Sequence, residues 1–451
     1  MPTESAPRLR RSAAALVAVR VAGVLCQLLV LTYLANRLSL PQMAVFALAY
    51  SGLGLVRVLG ALGIDHASVR LLSVQLGAGT APPMTRKMAE AAHRLAAAGL
   101  FLALLSGLIL ALPTAGLIAV LTATPPQGPA PATSPLALWS LVAAVPAQAL
   151  MGVMVGQIRG LGRNLSAQWP EALGLHLTTL ALLLVLGAQA ALPALALASW
   201  GVVCLQLLLR HRALRQLCPP HTPADRAHGH CPDLAGARRR QARFGRAECA
   251  ALLRCGWPIL QAQGVSALAT RAPLFLAALT TGPAAVAVLE VALRFGTLPS
   301  LLTGSVGATF SPAVARQAAR ADQAALRQSR RTIGRLAGGP ALLYLMACPL
   351  LAGPLLGWML PDAYQAAVLP LTLIAFGSLL NAGFAGASFQ LLMSSRAVLV
   401  RRYAMLRLGI LCALSVMLGP LWGAVGIALA VAAGYAVADT GMALAVRRGE
   451  G

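Results

Sequence analysis

The sequence predicts an all-α integral membrane protein of about twelve transmembrane helices in two six-helix lobes, with both termini in the cytosol. Three observations carry that expectation. The 451-residue chain is 58% hydrophobic and 11% charged, with a mean hydropathy of +0.75, whereas soluble domains hold about 25% charged residues. Its apolar residues gather in stretches of the roughly 20 residues that cross a bilayer. Its basic residues collect on alternate sides of those stretches, as the positive-inside rule requires.

The spans fall at about 13–35, 41–63, 95–121, 135–158, 168–188, 190–209, 256–279, 283–308, 336–358, 364–393, 403–419 and 422–446. The first follows "MPTESAPRLRR" and is long enough to cross, so it is expected to be retained as a span rather than removed as a signal peptide. Spans five and six are parted only by "AQAALP", and eleven and twelve only by "GPLWG". With the N-terminus inside, the inside segments hold 30 of the 36 basic residues, Arg37 lies outside, and five arginines fall within spans. That asymmetry sets the orientation and demands an even number of spans. The net charge of +24 therefore reports topology and not a nucleic-acid partner. Trp139, Trp257, Trp358 and Trp422 sit near span ends, where an aromatic belt forms. The longest outside loop, "TATPPQGPAPATSP", is uncharged and too short for an extracytoplasmic domain.

The longest inside loop, 210–254, is basic and rich in Pro, Gly and His. It is expected to link an N-terminal lobe, 1–209, to a C-terminal lobe, 255–451. The halves echo each other. Arg20 and Arg271 occupy the first span of each, Arg57 and Arg294 the second, and each second span opens at a proline, Pro41 or Pro283. A basic amphipathic segment follows each, "TRKMAEAAHRLA" (85–96) against "LRQSRRTIGRLA" (326–337), matching Arg86 with Arg327 and Arg94 with Arg335. A 6+6 repeat is an architecture of alternating-access transporters.

Four of the eight cysteines, Cys26, Cys204, Cys348 and Cys412, fall in spans; Cys218, Cys231, Cys249 and Cys255 lie in or beside the long inside loop. All are expected to be reduced thiols. "CPPHTPADRAHGHC" offers cysteines and histidines that suit zinc, but its spacing fits no regular finger. With no P-loop, no HExxH and no Ser/His/Asp set, the sequence predicts neither an enzyme nor a cofactor nor a metal centre.

Charges within a membrane are functional-site candidates. Arg271 and Arg294 lie near mid-span; Arg20 and Arg57 lie between the midplane and the cytosolic face. Arg407 is about one turn from a span end, where snorkelling accounts for it. Glu290 precedes Arg294 by four residues, the spacing and order of an ion pair. Arg271 and Arg20 lack a local partner, leaving pairing with Glu171 or Asp439, or a water-filled cationic cavity. Gln263, Ser266 and Thr270 share one helix face, Arg20 and Gln27 another, and Tyr50 and Arg57 a third. Pro146, Pro273, Pro299 and Pro349 are candidates for kinks. A cavity lined by arginines with few acids suits an anion, since the guanidinium fork binds phosphate bidentately.

Four stretches resemble the polysaccharide-biosynthesis exporters, or O-antigen flippases (Wzx-type), of the MOP (MATE-like) superfamily: "VFALAYSGLGLVRVLGALGIDHASVRLLS" (45–73), "GPAAVAVLEVALRFGTLPSLLTGSVGATFSPAVARQ" (282–317), "AFGSLLNAGFAGASFQLLMSSR" (375–396) and "GPLWGAVGIALAVAAGYAVAD" (419–439). The resemblance implies an undecaprenyl-pyrophosphate-linked glycan moved across the bacterial inner membrane by alternating access, with membrane lipids and a glycan polymerase or ligase as partners. It implies substrate contact by Arg20, Arg57, Arg271 and Arg294, with Gln27, Gln263 and Thr270 beside them. Coupling to protons or sodium then needs a titratable group: Glu290, Glu171 or Asp439, in that order. The long basic middle loop departs from the family and suggests contact with anionic lipid. Ending after twelve helices favours the O-antigen or exopolysaccharide branch over lipid II flippases. Two rivals remain. A cation-coupled drug exporter on the same fold needs acids and aromatics, and aromatics are 5% here. A membrane enzyme acting on lipid-linked sugars needs a larger or more acidic outside loop than "RLSLPQ".

Overall fold

The computed structural model describes residues 6–75, 86–123, 134–216, 245–300, 303–304, 306, 310, 314, 317, 322–393 and 397–448. Among them there are helices and no strands. They run α1 Ala6–Ala35, α2 Leu40–Gly60, α3 Ile64–Gln75, α4 Arg86–Ala123, α5 Pro135–Gly160, α6 Asn164–Trp169, α7 Leu175–Leu186, α8 Ala191–Arg215, α9 Arg246–Thr280, α10 Pro283–Gly296, α11 Gln323–Met359, α12 Val368–Met393 and α13 Ala397–Arg448. A π-helical turn, Pro170–Gly174, joins α6 to α7.

Nine described helical stretches are long and apolar enough to cross a membrane. Their outward faces carry Leu112, Val185, Leu343, Leu350 and Trp358, all exposed. In water that would be an aggregating surface; in a bilayer it is the face the lipid wets. The last stretch, within α13, folds back on itself. At Gly423 the backbone takes φ 57° and ψ −133°, the first central position of a type II′ turn, which glycine adopts without a steric penalty. Cβ atoms built on Gly426, Gly434 and Gly441 would meet Leu418, Arg407 and Tyr403, so the two legs run antiparallel. The "GPLWG" break is thus a helical hairpin.

Three elements differ from the sequence expectation. The amphipathic segments are not separate from the spans that follow: α4 starts at Arg86 and α11 at Gln323. Ala89, Ala92, Leu95 and Ala96 are buried in α4, as are Leu326, Ile333 and Ala337 in α11. In α11 the helix runs on through Gly338, Gly339 and Pro340 at the junction between its amphipathic and apolar parts. Asp322 caps α11, accepting from the Ala325 N–H at 3.0 Å. The ends of the inside loop are helical too. Helix α8 runs on to Arg215, and α9 begins at Arg246, where Glu248 reaches back to the Gly245 N–H at 2.9 Å. The candidate zinc motif, and with it Cys218 and Cys231, lies outside the described residues. Finally α3, too short to span, was not expected; it buries Ile64, Ala67 and Leu72 against α4 and α5.

The chain divides into two compact units, 1–26 with 53–263 and 27–52 with 264–451. In the first, α5 is central and packs on α3, α4 and α8. Lipid supplies no hydrophobic drive between helices, so small residues and hydrogen bonds hold them. Buried Ala144, Ala147 and Ala149 supply the first. Gln148 donating to Ser199 Oγ (2.9 Å) and Gln157 donating to the Ala96 carbonyl (2.9 Å) supply the second. In the second unit α12 is central, packed on α10, α11 and α13, with Ser378 donating to the Gly296 carbonyl at 2.9 Å. Cys26, Cys204, Cys249, Cys255, Cys348 and Cys412 are free thiols. Burial and the neighbouring Glu248 carboxylate push the Cys249 thiol up, which keeps it protonated and unreactive.

Candidate functional site

Three polar groups stand out among the described residues, one in the first unit and two in the second. In the first, α1 meets the π-helical turn. A Cβ on Gly23 would strike the Ala172 carbonyl, so only glycine lets the two backbones touch. One turn earlier on α1, Arg20 donates from Nε to Gln168 Oε1 at 3.1 Å. The turn arises where Pro170 supplies no N–H and the Leu175 N–H reaches back to the Pro170 carbonyl; such bulges frequently mark functional sites. It carries Glu171, whose carboxylate pairs with the Arg57 guanidinium of α2. Glu171 and Arg159 both act electrostatically on Arg20. Two span arginines against one glutamate leave this cluster one net positive charge, and Arg20 is held by a neutral amide.

In the second unit four side chains form a chain. Gln27 Nε2 donates to Tyr50 Oη at 3.3 Å. The Arg294 guanidinium carbon lies 4.6 Å from the centroid of the Tyr50 ring, a cation–π contact. Arg294 Nε donates to Glu290 Oε1 at 2.6 Å. The i, i+4 pair expected from the sequence is thus formed, and this cluster is neutral.

A third group was only half visible in the sequence. Asp439 is buried and accepts from Asn381 Nδ2 at 3.2 and 3.5 Å. Arg407 lies 3.6 Å from the centroid of the Tyr435 ring and acts on Asp439 electrostatically, with no direct ion pair between them. Arg407 therefore packs inward on an aromatic face, where the sequence suggested snorkelling. Tyr435 follows it by 28 positions, and only the hairpin at Gly423 brings them together.

The remaining sequence candidates are dispersed. Arg271 is half-buried in α9, one helix turn from the exposed Ser266–Thr270 face. Thr270 spends its hydroxyl on the Ser266 carbonyl, 2.8 Å away. Gln263 is half-buried and belongs to the first unit, Arg271 to the second. Gln168, Tyr435 and Asn381 carried no signal in the sequence. Among the described residues no group of His, Cys, Asp and Glu has metal-binding geometry.

Residues 9–318 match the model of a family described as polysaccharide biosynthesis protein. No curated protein matches the chain by sequence. The fold is similar to that of an inward-facing multidrug resistance MATE family transporter of the MOP superfamily: TM-score 0.71, 15% identity, covering 96% of this chain and 97% of that one. It is also similar to the lipid II flippase MurJ in an inward closed conformation, with TM-score 0.68, 14% identity and coverage of 96% and 87%. A MOP superfamily transporter from Pyrococcus furiosus, whose binding pocket is described as having reversed polarity, gives TM-score 0.60, 15% identity and coverage of 97% and 94%.

Proposed function

The chain belongs to the polysaccharide biosynthesis protein family and has a MOP-superfamily fold, and from that premise we propose that it flips an undecaprenyl-pyrophosphate-linked oligosaccharide across the bacterial inner membrane. The observation that carries the reading is the Arg20 cluster. A guanidinium held by Gln168 keeps its charge, beside an Arg57 that needs only Glu171 to balance it. Such a group favours an anionic, pyrophosphate-bearing cargo. Arg271 is the corresponding cation of the second half, and the Tyr50 ring, whose hydroxyl accepts from Gln27, packs against Arg294.

In this reading twelve spans form two six-helix lobes, 1–209 and 255–451, that rock to expose a cationic path to either side, with both termini cytosolic. Coupling falls to Asp439. Glu171 and Glu290 each neutralise an arginine at contact distance, whereas Asp439 touches an amide, with Arg407 near it but not in contact, and is the acid placed to exchange a proton or a cation. Similarity to a lipid II flippase supports a lipid-linked glycan, and the family match supports its use in an O-antigen or exopolysaccharide pathway with a polymerase or ligase downstream. A drug exporter on this fold has one observation in its favour, the MATE neighbour; a cation binder with a net positive cluster is the weaker chemistry.

The test compares Arg20→Ala, Arg271→Ala and Arg271→Lys in a producing strain at equal membrane levels of protein. Loss of surface glycan with lipid-linked glycan building up inside is the expected result. Normal surface glycan in all three refutes the cationic path.

A further inference from the structure

The second unit contains a basic pocket that the transport reading does not use. It lies where the start of α11, the later turns of α12 and the last turns of α13 meet. Its volume is about 300 Å³, and its walls are Arg330, Arg331, Gly334 and Arg335 from α11, Gly383, Phe384 and Ala387 from α12, and Ala443 and Arg447 from α13. Four arginines thus line one cavity, with no carboxylate in the lining. Arg330 donates from Nη1 to Gln390 at 3.3 Å. Arg331, Arg335 and Arg447 make no hydrogen bond or ion pair among the described residues. Repulsion among like charges should drive such a cluster apart unless something offsets it.

The other half of the chain shows the alternative. Arg94 is the repeat counterpart of Arg335, and it meets Glu248 at 3.5 Å. No such acid is built at Arg335. Gly334 and Gly338 lie against the backbone of Gly383, so α11 and α12 pack closely beside the cup. The cup holds the half-buried Arg330 and the exposed Arg331, Arg335 and Arg447 around an apolar floor of Phe384, Ala387 and Ala443.

We propose that this pocket binds a phosphate-bearing anion, with the forks on the phosphate and the floor under a small organic moiety attached to it. Arginine forks match phosphate oxygens bidentately. A volume of about 300 Å³ is at the lower end of small-molecule sites, about 300–1,000 Å³, which admits a phosphate with a glycerol-sized group and not an oligosaccharide. The same chemistry is offered by a lipid headgroup and by a soluble phosphate ester.

The full chain, purified in maltoside detergent, is titrated with short-chain phosphatidylglycerol and separately with glycerol phosphate, and followed by native mass spectrometry. Saturable binding of one equivalent is expected, weakened at least ten-fold by Arg331→Gln/Arg335→Gln. Removing the same charge from α8 by Arg212→Gln/Arg215→Gln is expected to change it less than two-fold. A Cβ on Gly383 would meet nothing within 4 Å, so Gly383→Leu fills the cavity and leaves every charge in place; it too is expected to weaken binding. Binding of phosphatidylglycerol alone assigns the site to a lipid headgroup, and competition by glycerol phosphate assigns it to a soluble ester. Absence of saturable binding, equal loss from both arginine pairs, or full affinity in Gly383→Leu overturns the proposal. Detergent binding has no sidedness and involves no transport, so failure here leaves the flippase reading standing, and the reverse.

Discussion

Arg294→Met should destabilise the protein far more than the loss of one surface ion pair would. The pair is short, 2.6 Å, and its side chains are 16% and 3% exposed for Arg294 and Glu290. Truncating the arginine leaves Glu290 in α10 among buried Val286, Leu289 and Val291. An uncompensated buried charge costs about 3–5 kcal/mol. Replacing both residues, as Glu290→Leu/Arg294→Met, removes the charge and its partner together and should cost under about 1 kcal/mol. Thermal unfolding of the detergent-solubilised parent, both single variants and the double variant closes the cycle. Arg294→Met melting with the parent would refute the reasoning, since the pair would then be hydrated.

Asp439→Asn should abolish the dependence of flipping on an ion gradient, read as glycan translocation in vesicles with and without an uncoupler at matched amounts of reconstituted protein. Gly23→Val should lower activity or protein level sharply, because its side chain meets the Ala172 carbonyl and pushes Arg20 off Gln168; a fully active variant would show that α1 need not touch the π-helical turn. Gln206 is fully buried, and neither end of its amide has a partner among the described residues. Gln206→Leu should therefore raise stability by about 1–3 kcal/mol, seen as a higher melting temperature. Gly423→Ala should cost about 1–3 kcal/mol through backbone strain at the hairpin.

The membrane-spanning, all-helical character was legible because lipid demands long apolar runs. Helix ends were not, because "RKMAEAAHRLA" and "LRQSRRTIGRLA" read as amphipathic segments apart from the spans, whereas the structure runs each straight into the span that follows. The Glu290–Arg294 pair was legible because both partners sit on one helix face. The pairing of Arg57 with Glu171 was not, since both Arg20 and Arg271 were equal claimants on that acid until the fold placed α2 beside the π-helical turn. That turn had no sequence signal beyond a proline inside an apolar stretch. The stacking of Arg407 on Tyr435 was hidden for a different reason: position along a span speaks of depth, not of what a neighbouring leg offers.

The hairpin at Gly423 also bears on how the chain enters the membrane. Arg407 and Asp439 ride on opposite legs, and a lone charge on an inserting helix costs up to about 2.5–3.5 kcal/mol, most at its middle and less near its ends. Legs that close about a two-residue corner present the cation and the anion together, already within each other's field. The insertion machinery then handles one nearly neutral object instead of two charged helices in succession. These two legs would thus enter as a unit, and a chain truncated at the corner would strand Arg407 without the ring and the carboxylate that receive it.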